Sequence, residues 1–218
     1  MGPVKRAMTG TDIDPQTLSR LGNVSRETLD RLKSYVDHLS QWQSKLNLIG
    51  SSEINHIWDR HILDCAQLIP MIKPIHGSKL DLGSGAGFPG MVLAILGVSD
   101  FTLIESNTRK CVFLRQAARL TETSAEIFDG RVEDYKSTEP ARVITARALA
   151  PLDKLFAMAH PLLAADGVCI LLKGQNFKQE LTDSRKRWHI NVEIHPSESD
   201  SSGRILIIKG LEPIHANP

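Results

Sequence analysis

Residues 79–90, which read Lys-Leu-Asp-Leu-Gly-Ser-Gly-Ala-Gly-Phe-Pro-Gly, constrain the fold more than any other part of this chain. A short apolar run is followed by three glycines that alternate with small residues, and then by a helical pattern. This order predicts a strand, a tight turn and a helix. Glycine is needed where a turn takes a positive φ and where a ligand approaches the backbone closely. The helix would present free N–H groups and the positive end of its dipole to that ligand. The stretch therefore predicts a pocket for a nucleotide-type cofactor.

Two cofactors fit this glycine loop. Read from Gly85, the glycines at Gly85, Gly87 and Gly90 match the G-x-G-x-x-G of dinucleotide-binding folds. Read from Gly83, the alternate glycines match the turn of S-adenosylmethionine (SAM) methyltransferases. The preceding Asp81 favours SAM, because its carboxylate would meet the positively charged methionine end, directly or through water. The loop by itself leaves both cofactors open.

The rest of the chain favours methyl transfer. Glu105 ends the next apolar run, where a carboxylate would accept ribose hydroxyls in either class. A dehydrogenase normally adds a Tyr/Lys or His/Arg pair beside the nicotinamide, and neither Tyr35 nor Tyr135 lies in such a pattern. Two late apolar runs, at 168–172 and 204–209, flank a polar helical segment and predict a closing antiparallel hairpin. Such a hairpin is typical of SAM methyltransferases, and an NAD-dependent enzyme is the weaker interpretation.

Strand patterns alternate with helical patterns from Lys79 onward. The predicted strands cover residues 79–82, 101–104, 125–128, 143–146, 168–172, 192–194 and 204–209. This alternation predicts an α/β fold with a mostly parallel sheet, right-handed crossovers and helices on both faces. Ligands of such sheets bind beyond the carboxyl ends of the strands. The residues expected at these ends are Gly83, Glu105, Val132 and Arg147.

The chain divides into four predicted parts. We expect disorder over residues 1–13, a helical N-terminal extension over 14–76, a methyltransferase domain over 77–212 and a tail over 213–218. Within the extension, a short helix is predicted from Asp14-Pro15 to Gly22, and Ser25 is predicted to cap a longer one. A further helix, followed by a linker over residues 70–77, is predicted from apolar residues at Ile54, Ile57, Ile62, Cys65 and Leu68.

Composition sets wider limits. With 41% hydrophobic residues among 218, the chain can bury a full core. A net charge of +1 neither requires nor excludes a nucleic-acid partner. The three cysteines lie in apolar contexts without C-x-x-C spacing, which predicts free buried thiols in a reducing cytoplasm. We expect no metal site, no signal peptide and no membrane-spanning segment.

The polar residues near the strand ends suggest binding roles. Residues 131–133, Arg-Val-Glu, fit an adenine-binding edge and equally a polar loop. Because an unpaired guanidinium is costly to bury, we expect Arg147 to face a ligand or a carboxylate. Basic residues in 109–119, in 185–187 and at Arg204 would either meet phosphate or form solvated faces. The sequence lacks the motifs of adenine-N6 and cytosine-C5 transfer, so we expect a target that is already nucleophilic.

Together these motifs resemble the bacterial RsmG (GidB) family of 16S ribosomal RNA methyltransferases. The most specific matches are residues 80–90, with Phe88-Pro89 after the glycines, and Arg60-His61-Ile62-Leu63-Asp64 in the extension. The other matching segments are 47–48, 109–114, 131–133, 146–148, 172–174 and 203–204. The resemblance covers nearly the whole chain from Asn47 onward.

The resemblance implies a class I, Rossmann-like SAM-dependent methyltransferase with a seven-stranded sheet, which methylates N7 of a guanine in the 530 loop of 16S rRNA. It implies that Arg147 and Arg204 position the target. The cofactor-binding residues it implies are Gly83, Ser84, Gly85, Phe88, Glu105, Val132, Glu133 and Arg147.

Guanine N7 carries a lone pair and no proton at neutral pH, so the reaction needs positioning and desolvation rather than a general base. We therefore assign no catalytic base. We expect 16S rRNA or the 30S subunit as partner, a monomeric protein and a cytoplasmic location. Two alternatives stay open: a SAM-dependent methyltransferase of another substrate, and a non-catalytic SAM-binding ribosome assembly factor.

Overall fold

The computed structural model describes residues 13, 17, 20–22 and 24–214. The disorder expected over residues 1–13 lies outside these residues except at residue 13. The helix predicted from Asp14-Pro15 to Gly22 lies outside them except for residues 17 and 20–22, of which 17 and 20 are helical. Most of the predicted tail, residues 213–218, also lies outside them.

Helix α1 spans Arg26–Gln43 and begins where the sequence predicts. The Ser25 hydroxyl accepts a hydrogen bond from the Thr28 backbone N–H at 3.1 Å, which satisfies one of the free donors of the first turn. One face of the helix is buried and carries Leu32, Tyr35, Val36 and Leu39. The predicted N-cap at Ser25 is confirmed.

The second half of the extension is not the single helix that the sequence predicts. It consists of a 3₁₀ turn at Ser51–His56, a π-helical turn at Trp58–Ile62, helix α2 at Leu63–Ala66 and helix α3 at Ile69–Ile72. Residues 70–77 are also not a linker throughout, because α3 includes Pro70 and buries Ile72.

The spacing of the apolar residues explains this break. Ile57 and Ile62 are five residues apart, which is too far for one face of an α-helix of 3.6 residues per turn. The π-helical turn, in which the Leu63 N–H bonds to the Trp58 carbonyl, accommodates the extra residue. Ile57, Ile62 and Cys65 are consequently all fully buried.

The sheet has seven strands, as predicted. They are β1 Lys79–Leu82, β2 Phe101–Glu105, β3 Glu126–Asp129, β4 Ala141–Arg147, β5 Leu163–Lys173, β6 Trp188–Pro196 and β7 Arg204–Pro213. Their order is β3-β2-β1-β4-β5-β7-β6. Strands β1 to β5 are parallel, whereas β7 runs antiparallel to both β5 and β6. The parallel sheet and the closing hairpin are both confirmed.

Four helices connect the strands: α4 Gly90–Ile95, α5 Thr108–Leu120, α6 Leu152–Ala159 and α7 Phe177–Ser184. Asn107 caps α5, since its side-chain oxygen accepts from the backbone N–H groups of Arg109 at 3.0 Å and Lys110 at 3.3 Å. No helix among the described residues is both long and apolar enough to cross a membrane.

Successive strand residues point to opposite faces of the sheet and belong to two separate cores. In β2, Leu103 packs with the extension, α4 and α5, whereas the next residue, Ile104, packs with α6 and α7. Ile170 and Leu171 of β5 divide in the same way. Helices therefore cover both faces, and the extension shares one core with the sheet. The boundary at residues 76 and 77 stays a prediction.

Tyr35 connects the extension to the glycine loop. Its side chain is fully buried, and its hydroxyl donates a hydrogen bond to the Ala86 carbonyl in the middle of the loop. Burial raises the pKa of Tyr35 well above its usual value, so the hydroxyl stays protonated and remains a donor. Helix α1 is thus connected to the glycine loop by a buried hydrogen bond.

Replacing Tyr35 with Phe should destabilise the fold, because the Ala86 carbonyl would lose its partner while buried. We expect a loss of about 1–3 kcal/mol in the free energy of unfolding, measured by urea denaturation. Tyr135→Phe is the matched control, since Tyr135 is half-buried and should cost less. Equal losses in the two variants would contradict this role of the Tyr35 hydroxyl.

Candidate functional site

The glycine loop lies at the point where the strand order reverses. Leu82, the last residue of β1, is level with Ile104 of β2 on one side and with Ala146 of β4 on the other. The chain leaves β1 for β2 on one side and later crosses from β3 to β4 on the other, which opens a crevice beyond the carboxyl ends of the strands. Glu105, the last residue of β2, and Arg147, the last residue of β4, therefore lie on opposite sides of the loop.

Three glycines of the loop adopt the left-handed conformation, with φ of +66° at Gly83, +60° at Gly85 and +95° at Gly87. Their surroundings differ. A Cβ at Gly87 would lie 2.7 Å from the Met91 Cβ, and a Cβ at Gly83 would collide with Leu149. A Cβ at Gly85 would meet nothing closer than the Gly83 carbonyl oxygen at 3.8 Å. Gly85 therefore faces open space, where a ligand can approach its backbone.

Glu105 holds the loop from the β2 side. One carboxylate oxygen accepts the Gly85 N–H and the other accepts the Asn107 N–H, each at 2.8 Å. The side chain is largely buried. A carboxylate has about four lone-pair sites, so two remain for the hydroxyls of a ribose. Glu105 is the last residue of β2, at the strand end where the sequence places it, and its contact with a ribose stays a prediction.

The Asp81 carboxylate is engaged inside the protein, and its expected contact with the methionine end of SAM, directly or through water, stays a prediction. It is fully buried, and its two oxygens accept from the Thr145 hydroxyl at 2.7 Å and from the Gly90 N–H at 3.2 Å. Burial raises its pKa to about 6. Asp81 connects β1 to β4 and to the first residue of α4.

Ser84 shapes the turn. Its hydroxyl donates to the Asp81 carbonyl at 3.0 Å and its N–H donates to the Ile104 carbonyl at 3.1 Å. Its own carbonyl accepts from the Gly87 and Phe88 N–H groups. The polar groups of Ser84 are thus occupied inside the protein, where they fix the shape of the loop.

Val132 and Glu133 lie in a 3₁₀ turn at Val132–Asp134 that follows β3. Val132 is buried among the residues packed on α6, and Glu133 is exposed. The Gly130 N–H donates to the Glu105 carbonyl at 3.0 Å, which ties this turn to the end of β2. The two residues border a different depression from the one that Arg147 lines.

Phe88 is the meeting point of the loop and the extension. The His61 ring stacks on it at a centroid distance of 4.8 Å, and the Tyr35 ring meets it edge-on at 6.1 Å. The Arg147 guanidinium carbon lies 5.7 Å from the Phe88 centroid, within the range of a cation–π contact. Phe88 is only 7% exposed.

His61 is neutral in the folded protein. Burial and the positive charges of Arg147 and Arg60 lower its pKa to about 3. Its Nε2 lies 3.2 Å from a Glu53 carboxylate oxygen, but neither ring nitrogen has hydrogen-bond geometry to any described residue. The short distance to Glu53 is therefore not an ion pair.

Arg147 and Arg204 line the same cleft, beside the ends of β4 and β5. The cleft holds about 360 Å³. Arg204 donates to the backbone carbonyls of Ser201 at 2.9 Å and Gly203 at 2.6 Å, and its guanidinium lies over the Phe177 ring. The structure thus brings together the two arginines that the resemblance implicates in target positioning.

Most positive charges of the cleft are paired with carboxylates. Arg147 lies 3.5 Å from Asp64, and Lys173 lies 2.6 Å from Glu180. Arg60 lies 3.6 Å from Asp200. Among the described residues that line the cleft, Arg204 is the cation that forms no ion pair with a carboxylate, and its guanidinium donates to backbone carbonyls instead. It is thus the cation most available to an incoming anion.

Three residues of the other basic clusters pair with carboxylates on the surface. Arg115 pairs with Asp129, Lys186 with Asp183, and Arg187 with Asp153. No group of His, Cys, Asp and Glu side chains in the described part of the chain could hold a metal ion. All three cysteines are buried and free.

Sequence reasoning gave no role to Tyr35, His61 or Asp64, which all contact the loop or Arg147. The signal for two of them was present, because His61 and Asp64 belong to the Arg-His-Ile-Leu-Asp stretch on which the resemblance rests. Tyr35 carries no motif, and only its place on the buried face of α1 marks it.

The sheet order, the open backbone at Gly85 and the acidic residue at the end of β2 define a SAM-dependent methyltransferase of the Rossmann-like class. A glycopeptide N-methyltransferase, MtfA, solved with S-adenosylhomocysteine (SAH), has this fold. It superposes with a TM-score of 0.57 at 12% identity, covering 69% of this chain and 90% of that chain.

The chain belongs to the GidB family, described as rRNA small subunit methyltransferase G, which matches residues 28–204. The ribosomal RNA small subunit methyltransferase G of Paramagnetospirillum magneticum is 46% identical over 204 residues, covering 94% of this chain and 99% of the relative. The protein of the same name from Parvibaculum lavamentivorans is 43% identical, covering 94% and 93%. The family resemblance is confirmed.

Replacing Gly85 with Ala should weaken SAM binding by about tenfold or more, because the added methyl group points into the open crevice. Gly97→Ala is the matched control, since Gly97 also has a positive φ and nothing within 4 Å of an added Cβ. Both variants should lose about 1–2 kcal/mol of stability. Isothermal titration measures the affinity for SAM, and urea denaturation measures the stability. Equal SAM affinities of the Gly85→Ala and Gly97→Ala variants would place the cofactor elsewhere.

The neutral state of His61 makes stability depend on pH. The His61 side chain takes up a proton near its ordinary pKa of 6.5 in the unfolded chain, but only near pH 3 in the folded protein. Because protonation then favours the unfolded chain, the free energy of unfolding falls as pH drops below 6.5. Between pH 7 and pH 5 the loss should be about 2 kcal/mol.

The His61→Phe variant keeps the ring stack but has no group to protonate. Urea denaturation at pH 7 and pH 5 should therefore show a smaller loss of stability in this variant than in the wild type. His56→Gln, at an exposed position, should retain the whole wild-type dependence. If His61→Phe loses as much stability as the wild type on acidification, His61 is not the group responsible.

Proposed function

We propose that this protein transfers a methyl group from SAM to N7 of a guanine in the 530 loop of 16S rRNA. Family membership over residues 28–204 is the observation that carries the proposal. We further propose that the substrate is presented within the small ribosomal subunit, and that the protein acts as a monomer in the cytoplasm.

The residues around the loop suit SAM. Gly85 offers an open backbone, and Glu105 keeps two lone-pair sites for the ribose. When bound, SAM would supply an electrophilic methyl group on its sulfonium. We assign cofactor contacts to Gly83, Gly85, Phe88, Glu105, Val132, Glu133 and Arg147, with Ser84 acting through the shape of the turn.

The cleft beside Arg147 is the proposed site of the target guanine. It opens at the carboxyl end of β4, next to the loop, and it is bordered by the turn between β6 and β7. Arg204 is available for an RNA phosphate, whereas Arg147 is suited to a phosphate or the O6 edge of guanine. The target base must leave its stack for N7 to enter.

The reaction requires the protein to position the target base and exclude water, and it requires no proton transfer. Guanine N7 carries no proton to remove, and His61, which stacks on Phe88, is neutral and buried. The protein's contribution is then to orient the base, exclude water and place the cationic product beside carboxylates. Asp64, Glu180 and Asp200 line the same cleft.

The test is transfer of labelled methyl from SAM to small subunits purified from cells that lack the gene, followed by borohydride–aniline cleavage to map N7-methylguanine. We expect one new cleavage, in the 530 loop, which Gly85→Ala should diminish at limiting SAM and Gly97→Ala should preserve.

If the labelled methyl group is found in another RNA or in a protein, the enzyme acts on a different substrate from the one proposed. SAM binding with no transfer to any subunit preparation would support a non-catalytic assembly factor.

A further inference from the structure

The Arg-His-Ile-Leu-Asp stretch at residues 60–64 lies outside the methyltransferase sheet, yet it borders the active-site cleft. Its first residues form the end of the π-helical turn, and its last two begin α2. Irregular helical turns of this kind are frequent at functional sites. Both Arg60 and Asp64 line the cleft.

This stretch holds the Arg147 guanidinium at two points. One terminal nitrogen, Nη2, donates to the Arg60 carbonyl at 3.2 Å. The other, Nη1, lies 3.5 Å from a carboxylate oxygen of Asp64 and has no hydrogen-bond partner among the described residues. The Phe88 ring lies against the guanidinium at 5.7 Å. The orientation of Arg147 thus depends on a segment more than eighty residues earlier in the chain.

Asp64 is itself rigidly held. Its Oδ1 accepts hydrogen bonds from Ser197 at 3.0 Å, Ser199 at 2.6 Å and Gln67 at 2.8 Å. The Asp64 side chain is largely buried at the wall of the cleft. Oδ1 is committed to the turn between β6 and β7, and Oδ2 is left to face Arg147. A carboxylate held from three sides can determine where its cationic partner lies.

We propose that Asp64 is a positioning residue for methyl transfer, which fixes the Arg147 guanidinium at the end of β4 so that it meets the target nucleotide in one orientation. This inference rests on the proposed function. Without the carboxylate, Arg147 would keep its charge and lose one of its two points of attachment. Misplacement of a positioning group by about 1 Å can cost about a hundredfold in rate.

The experiment is a double-mutant cycle with Asp64→Asn, Arg147→Gln and the double variant, assayed at saturating SAM and small subunits. Asp64→Asn should lower kcat by about tenfold or more. The double variant should be no slower than Arg147→Gln, because both changes remove the same interaction. Asp64→Glu should recover part of the rate.

Asp166→Asn is the matched control. Asp166 accepts from both terminal nitrogens of Arg142, near the opposite end of β4 from Arg147. Loss of this pair should leave kcat unchanged. If the effects of Asp64→Asn and Arg147→Gln multiply, or if Asp64→Asn retains the wild-type kcat, the inference is overturned.

A readout that needs no turnover separates this inference from the proposed function. Rotation of the Arg147 guanidinium, followed by NMR in protein carrying isotope-labelled arginine, should be slow in the wild type and in Asp166→Asn, and faster in Asp64→Asn. Equal rotation in all three overturns the inference alone. A wild-type protein that holds the guanidinium but methylates no RNA overturns the proposed function and, with it, the catalytic part of this inference.

Discussion

The Tyr35 hydroxyl donates to the Ala86 carbonyl, and the Phe88 ring contacts both His61 and Arg147. Through Tyr35 and His61 the N-terminal extension supports the glycine loop. A loop with three left-handed glycines has few conformational restraints of its own. Its shape therefore depends on burial against α1 and the π-helical turn. The extension therefore helps to form the cofactor site, although the loop itself belongs to the connection between β1 and α4.

The charges around the cleft follow from the same arrangement. Arg147 lies at the end of a buried strand and needs a partner, which the extension supplies as the Asp64 carboxylate and the Arg60 carbonyl. Asp64 in turn connects to Ser197 and Ser199 in the turn between β6 and β7. Three parts of the chain thus meet at one carboxylate, and any anion that approaches Arg147 must compete with it.

Sequence reasoning succeeded where a pattern depends on near neighbours. The cap at Ser25, the seven strands and the closing hairpin were all predictable, because capping groups and strand periodicity are local. It failed over residues 54–68, where one helix was predicted. The five-residue step from Ile57 to Ile62 required a π-helical turn, and helical periodicity alone does not distinguish that turn from an ordinary helix.

The sequence by itself determined the strand–turn–helix at Gly83–Gly85–Gly87, the α/β class and the family, because each is encoded in residues close together along the chain. Only the tertiary structure decided that Asp81 is buried against Thr145, that Tyr35 reaches Ala86, and that Asp64 faces Arg147. These partners lie between fifty-one and eighty-three residues apart in sequence. Whether a carboxylate faces a ligand, water or another side chain depends on which distant elements pack around it, and no local pattern carries that information.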